Sequence, residues 1–324
     1  MRIIFAGSPG IAVPSLFALS AMECRGDGIE LLGVLTNIDA PQGRKGRLSA
    51  TEVSLAAAAL TGPRKERGYP PLLQLKFEKL DTQARKEIAF LGCDLLITFA
   101  YGRIFGPKFL ALFSNGGINV HPSLLPRFRG PSPIPAAILA RDRETGITIQ
   151  ELALQMDTGN ILAQETIPLD ERETAASLTE KVANKAAEML PALIARLLAG
   201  PVLTEPQMGE AVYCFLIRKE QGLIDWELPA VEIDAQVRAY SPWPLSYTQW
   251  EGEKLYFLEG SARESNLSNS EAGLVKGIDR DYGILIQTGN GVYATSRLQR
   301  RAKKALNWKD FINGARDFVG NRLE

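Results

Sequence analysis

Asn119 and His121 stand two positions apart in the run Gly117-Ile118-Asn119-Val120-His121-Pro122-Ser123, and His121 is the only histidine in 324 residues. On a strand, residues i and i+2 leave the same face, so a carboxamide and a side chain that titrates near neutrality would project together. Both can donate to the oxygen of a carbonyl as a nucleophile adds to it, which is oxyanion chemistry. Met156-Asp157-Thr158-Gly159-Asn160 offers the missing carboxylate. If its loop folds over His121, Asp157 favours the imidazolium and accepts or relays the proton given up by an attacking amine. Singly, each residue has a plainer reading: a packed histidine, an asparagine ending a strand, an aspartate capping a turn. The chemistry requires all three to converge.

The elements that must bring them together are written in the first half. Short apolar runs, RIIFAG, IELLGVLT, DLLITFA and GINVHPS, alternate with helical patterns at 12–22 and 50–60. That alternation predicts a buried, mostly parallel, Rossmann-like α/β sheet, whose ligand sites lie at the carboxyl ends of the strands. Further strands are expected at TGITIQEL and ILAQETIPL, and a long helix from about Thr174 to Leu198, stopped by Gly200 and Pro201. The first domain is therefore expected to span 1–200. The segment 201–210, PVLTEPQMGE, has two prolines and little periodicity and suits an extended linker. In 211–324 the pattern changes to short strands separated by Gly, Asn and Asp, with a helix near 230–240, which predicts a small C-terminal β-barrel of OB-like kind.

The opening turn, Gly7-Ser8-Pro9-Gly10, follows a strand and precedes a helix, as dinucleotide sites do. Its fingerprint is incomplete, because Pro9 removes a donor and no third glycine follows, so a structural turn is the better reading than a nicotinamide site. The 37 basic and 37 acidic residues cancel, so any contact with nucleic acid must rest on local clusters. Two exist: Arg44, Lys45 and Arg47 in a glycine-flanked loop, and Arg297, Arg300, Arg301, Lys303 and Lys304 near the chain's end. Cys24, Cys93 and Cys214 lack both an even count and metal spacing, which argues against a disulfide framework or a zinc site and for a reducing cytoplasm. The apolar run after Met1 is too short for a signal-peptide core, and no later run reaches membrane-helix length.

At INVHPSLLPRFRGPSPIPAAI the chain resembles the folate-dependent formyltransferases, which pair an asparagine and a histidine two residues apart with a distant aspartate. RIIFAGSPG, LTNIDAPQGRKGRL, DLLITFAYGRIF, ETGITIQEL, MDTGNIL, IDWELPA, AYSPWPLSY and GNRLE extend the resemblance over almost the whole chain, in the order found in the branch acting on methionyl-tRNA. The resemblance implies Asn119, His121 and Asp157 as the catalytic group. It places the 10-formyltetrahydrofolate donor at Ser123, Leu124, Leu125 and Pro126, with the backbone of Phe99, Ala100, Arg103, Ile104 and Phe105 taking the pterin. It implies initiator methionyl-tRNA as partner, held by the C-terminal barrel and the two basic clusters. A monomer is expected, with no metal, no DNA and no membrane. The nearest alternatives are a relative acting on a small amine, such as an amino sugar nucleotide or glycinamide ribonucleotide, and a non-catalytic RNA-binding protein. Pro122, the Leu154-Gln155-Met156 segment and the lysine-free stretch after Tyr213 depart from the family's usual pattern.

Overall fold

The structure, a computed structural model, describes residues 1–42, 46–264 and 271–324. Arg44 and Lys45 of the expected basic loop lie outside the described residues. The chain divides into two compact units. One gathers Met1–Pro133, Glu144–Pro168 and Thr179–Cys214; the other gathers Phe215–Glu324 with Ile134–Arg143 and Leu169–Leu178.

In the first unit the strands are β1 (Arg2–Gly7), β2 (Glu30–Thr36), β3 (Ala40–Gln42), β4 (Arg47–Ser49), β5 (Leu73–Lys76), β6 (Leu95–Phe99), β7 (Gly117–His121), β8 (Glu144–Glu151) and β9 (Ile161–Pro168). Seven of them form one sheet in the order β5-β2-β1-β6-β7-β8-β9. The five strands from β5 to β7 run parallel, whereas β8 and β9 pair antiparallel. Parallel strands lose both faces to packing, and accordingly all five residues of β6 and the last five of β1 are buried. Gly7 permits the close approach of β1 to the end of β6: a Cβ there would sit 2.8 Å from the Phe99 carbonyl oxygen.

Helices connect these strands with start and stop signals visible in the sequence. α1 (Val13–Arg25) has Pro14 in its first turn and ends at Gly26 with φ +79°. α2 (Glu52–Ala59) is capped by Thr51, whose Oγ1 accepts from the Ser54 amide at 3.1 Å, and α3 (Thr61–Glu66) follows it. α4 (Thr82–Leu91) begins on the Asp81 carboxylate and stops at Gly92 with φ +59°. The short helices α5 (Pro107–Leu110) and α6 (Pro133–Leu139) precede the long α7 (Ala175–Ala199). No helix of the described residues is long and apolar enough to cross a membrane.

The second unit is the antiparallel assembly that the short strands predict: β10 (Ser246–Trp250), β11 (Glu253–Arg263), β12 (Val275–Asp279), β13 (Gly283–Gln287) and β14 (Val292–Arg300), in the order β10-β11-β14-β13-β12, with β15 (Leu306–Asn307) on β14. α8 (Ala230–Ala239) and α9 (Trp308–Gly314) complete it. Its core is aromatic: Trp226 meets Phe257 edge-on at 5.4 Å, and Trp250, Phe311 and Phe318 pack as a trio.

Candidate active site

β7 alternates as its sequence requires. Ile118 and Val120 are buried, while Asn119 and His121 share the opposite face. Register then decides their neighbours. Asn119 pairs with Thr98 on β6 and with Gln150 on β8, and His121 pairs with Thr148. The loop between β8 and β9 folds back over this row and lays the Asp157 carboxylate on it. Asp157 Oδ1 accepts from Gln150 Nε2 at 3.0 Å and from Asn119 Nδ2 at 3.3 Å; Oδ2 accepts from the Gly130 amide at 2.8 Å and lies 3.5 Å from His121 Nδ1. The amide, the imidazole and the carboxylate therefore converge.

The other ring nitrogen, His121 Nε2, lies 2.9 Å from the Phe128 carbonyl, which can only accept, so Nε2 carries the hydrogen and Nδ1 faces Asp157. His121 is only 4% exposed. Burial pushes its pKa below the ordinary imidazole value, opposed by the Asp157 charge and the Phe128 carbonyl. The backbone that frames the site is held in sparsely populated conformations: Phe128 at φ +58°, Asp157 at +55° and Ala100 at +53°. Each costs on the order of 1 kcal/mol and persists because the surrounding bonds fix it.

Two glycines and one glutamine complete the frame. A Cβ on Gly130, at φ +122°, would lie 2.1 Å from the Cys214 carbonyl oxygen, and one on Gly159 would lie 1.8 Å from that of Glu151. Gln207, from the segment read as a linker, donates through Nε2 to the carbonyls of Asp157 at 2.9 Å and Gly159 at 2.8 Å. Its Oε1 accepts from Arg129 Nη2 at 2.6 Å and Nε at 3.0 Å. The segment forms no helix or strand and is fastened to β9 by reciprocal main-chain bonds between Glu205 and Ile161 at 2.7 and 2.9 Å. Gly130 and Gln150 lie within segments that carry the family resemblance, and Gln207 within the expected linker, yet the sequence assigns none of the three a role; the partners that give them their roles come from other parts of the chain.

The residues expected around the donor fall into two groups. Ser123 and Leu125 are buried and hold the loop: Ser123 Oγ donates to Arg127 O at 2.6 Å, and the Leu125 amide donates to Thr148 Oγ1 at 3.1 Å. Leu124 and Pro126 are half-buried. Phe99 and Phe105 are buried, with Phe105 between Tyr101 and Phe109 in the core, so only their main chain can face a ligand. The Arg103 guanidinium braces the loop through Asn37 Oδ1 and the carbonyls of Phe77 and Glu78. Ile104 is exposed. Among the described residues, the main chain of 100–105 is engaged only where Tyr101 O accepts from Asn37 Nδ2 at 3.2 Å. Its remaining main-chain donors and acceptors are open to a polar ligand.

Of the basic residues, Arg47 is exposed on β4. Arg300 lies over the Trp250 ring at 4.2 Å and 3.5 Å from Glu251, and Arg297 pairs with Glu259 at 2.8 Å. Arg301, Lys303 and Lys304 are exposed. The opening turn is used internally: Ser8 Oγ accepts from the Asn37 amide at 3.1 Å, and Ser8 O accepts from the Val53 amide at 3.2 Å.

A Rossmann-like sheet with an amide, an imidazole and a carboxylate gathered on one strand face fits a group-transferring enzyme that handles a carbonyl. Comparison with known proteins agrees. A family model described as formyl transferase matches residues 1–194, and one described as formyl transferase, C-terminal domain, matches residues 216–316. The methionyl-tRNA formyltransferase of Treponema denticola is 47% identical over 332 residues, covering 100% of both chains. That of Treponema pallidum is 39% identical over 327 residues, covering 100% of this chain and 99% of the other. Among solved structures, the Helicobacter canadensis N-formyltransferase in complex with folinic acid and dTDP-3-aminofucose has the same fold, with TM-score 0.63, 18% identity, and coverage of 93% and 99%. HypX from Aquifex aeolicus in complex with tetrahydrofolic acid gives TM-score 0.61 and 18% identity; 98% of this chain matches 48% of that one, so the chain spans about half its length. The chain belongs to the formyl transferase family and groups within it with the methionyl-tRNA formyltransferases.

Proposed function

We propose that Asn119, His121 and Asp157 transfer the formyl group of 10-formyltetrahydrofolate to the α-amino group of methionyl-tRNA, giving formylmethionyl-tRNA for translation initiation. The observation that carries this reading is the convergence of the three side chains on one face of β7 and β8. 10-Formyltetrahydrofolate supplies the activated one-carbon group. Asn119 Nδ2, which carries two hydrogens, donates one to the formyl oxygen and stabilises its growing negative charge as the amine adds, a contribution of about 3–4 kcal/mol for a donor of this kind. Asp157, oriented by Gln150 and the Gly130 amide, takes up the amine's proton, shares it with His121 Nδ1, and the pair returns it to the N10 nitrogen as the formyl C–N bond breaks and tetrahydrofolate leaves. His121 stays neutral until then because its burial disfavours charge.

The first domain, 1–200, holds the formyl donor, with its pterin on the main chain of 99–105 and Ser123 to Pro126 lining the approach. The part from 211 onward holds the tRNA, aided by Arg47 and by Arg300, Arg301, Lys303 and Lys304; 201–210 joins the two. The protein acts as a monomer in the cytoplasm and needs no metal. The test is formyl transfer to methionyl-tRNA, compared with amino sugar nucleotide and glycinamide acceptors. Asn119→Ala and His121→Ala are expected to abolish turnover while leaving folate affinity within about tenfold. Near-parental rates in both, or preference for a small amine, would remove the assignment.

A further inference from the structure

The Thr98 hydroxyl reaches a single partner. Thr98 is 4% exposed, it faces Asn119 in direct register across β6 and β7, and its Oγ1 donates to Asn119 Oδ1 at 2.7 Å. A buried hydroxyl is unfavourable unless hydrogen-bonded, and among the described residues this amide is the only side-chain group bonded to it.

An asparagine amide has two orientations related by a half-turn, and only one is useful here. In the orientation present, Nδ2 points to Asp157 Oδ1 at 3.3 Å and Oδ1 receives the threonine proton. In the reverse orientation, Oδ1 would face the carboxylate, and a lone pair instead of an N–H would meet an oxygen gaining negative charge. Asp157 enforces the useful orientation while it is ionised. Once the carboxyl has taken up a proton, it can donate to Oδ1 as well as accept from Nδ2, and its preference is lost. Thr98 acts from the sheet side, where the reaction changes no proton. After a flip, it would accept from Nδ2 and leave its own buried proton without an acceptor.

We propose that Thr98 is a positioning residue that fixes the amide of Asn119 so that Nδ2 is presented to the reacting oxygen throughout turnover. This rests on the reading of Asn119 as the donor to that oxygen. Thr98→Val keeps the β-branched shape and removes only the hydroxyl, and Thr98→Ser restores it. In formyl transfer to methionyl-tRNA, Thr98→Val is expected to lower kcat about five- to tenfold, the scale of one hydrogen bond. Both KM values should stay within about twofold, and Thr98→Ser should return kcat to within about twofold of the parent.

A second readout needs no substrate. In protein labelled with 15N-asparagine, the Asn119 side-chain amide pair, assigned by its loss in Asn119→Ala, should be single in the parent and in Thr98→Ser. In Thr98→Val it should broaden or double. A Thr98→Val variant with parental kcat and an unchanged amide pair would overturn the inference. So would a Thr98→Ser variant as slow as Thr98→Val, because the loss would then be one of packing. If Asn119→Ala is dead while Thr98→Val is unaffected, Thr98 alone is removed; if Asn119→Ala turns over at the parental rate, the donor role of Asn119 falls too.

Discussion

Asp157 Oδ2 lies 3.5 Å from His121 Nδ1, and His121 Nε2 is bonded on its far side to the Phe128 carbonyl, so the ring is held between a charge and a dipole that both favour a proton on it. Burial acts against them and prevails. Since His121 is the only histidine, its titration can be followed by NMR as a single imidazole signal. The midpoint should fall below the ordinary 6.5. Asp157→Asn removes a contribution that raises the pKa, so the midpoint should move lower still while kcat falls about 10²-fold or more. The sign for stability follows. Above pH 6.5 both folded and unfolded chains hold a neutral ring; as pH falls below 6.5, the unfolded chain binds the proton first and stability drops until the folded midpoint is passed. A midpoint above 6.5 in the parent, or one that rises in Asp157→Asn, would contradict this account of the ring's environment.

Gly130 does two things that no other residue type can combine. Its φ of +122° is strained for any side chain, a Cβ would strike the Cys214 carbonyl oxygen at 2.1 Å, and its N–H donates to Asp157. Gly130→Ala should displace the loop by about 1 Å, a shift that costs roughly 10²-fold in rate when it misplaces a reacting group. Steady-state kinetics should put the loss mainly in kcat, and the unfolding midpoint should fall as well, by the equivalent of the roughly 1–3 kcal/mol of an overpacked buried position. A loss confined to KM would place the effect in substrate binding instead.

Much of the site could be read directly because its chemistry is local in sequence. Asn119 and His121 share a strand, and a period of two puts them on one face whatever surrounds them. The apolar runs of β1, β2, β6, β8 and β9 were legible for the same reason, as were α1 and α7. Less legible were β5, with two exposed residues and two half-buried ones, and the antiparallel direction of β8 and β9, which pairing decides. Gln207 was hidden altogether. It lies in a proline-containing stretch without periodicity, and the carbonyls it holds are 48 and 50 residues away. Gln207→Ala removes both bonds from the strained Asp157 turn and leaves the Arg129 guanidinium, among the described residues, only the longer contact to the Tyr213 hydroxyl at 3.4 Å. It should lower kcat about tenfold, the scale of one to two hydrogen bonds, and Gln207→Glu should not rescue it, because a carboxylate cannot donate to the two carbonyls. Full activity of Gln207→Glu would show that only the Arg129 contact matters.

Away from the site, Glu23 and Arg64 form an ion pair with side chains 0% and 1% exposed. Glu23 Oε1 also accepts from the Leu31 amide, and Arg64 donates to the carbonyls of Leu31 and Pro70. Removing one partner leaves an uncompensated buried charge, which costs about 3–5 kcal/mol. Arg64→Met should therefore lower the urea unfolding midpoint sharply, and Glu23→Leu combined with Arg64→Met should recover a large part of the loss. Equal stability of single and double variants would mean that the pair adds nothing beyond packing.

The cations near the chain's end differ in what they have left to give. Arg297 is paired with Glu259, and Arg300 is stacked on Trp250 beside Glu251, whereas Arg301, Lys303 and Lys304 stand exposed with no acidic partner among the described residues. Each phosphate contact releases counterions, so it contributes about 0.7–0.9 to the slope of log affinity against log salt. If the three exposed cations each hold a phosphate of the tRNA, replacing all three with glutamine should flatten the dependence of kcat/KM on salt by about 2 in that slope. The kcat at saturating tRNA should not change, since none of the three belongs to the unit that carries Asn119 and His121. Replacing Arg297 alone should alter the slope by less than any of the three, because its charge is already met by Glu259. An unchanged slope in the triple variant would move the RNA contact to another part of the chain.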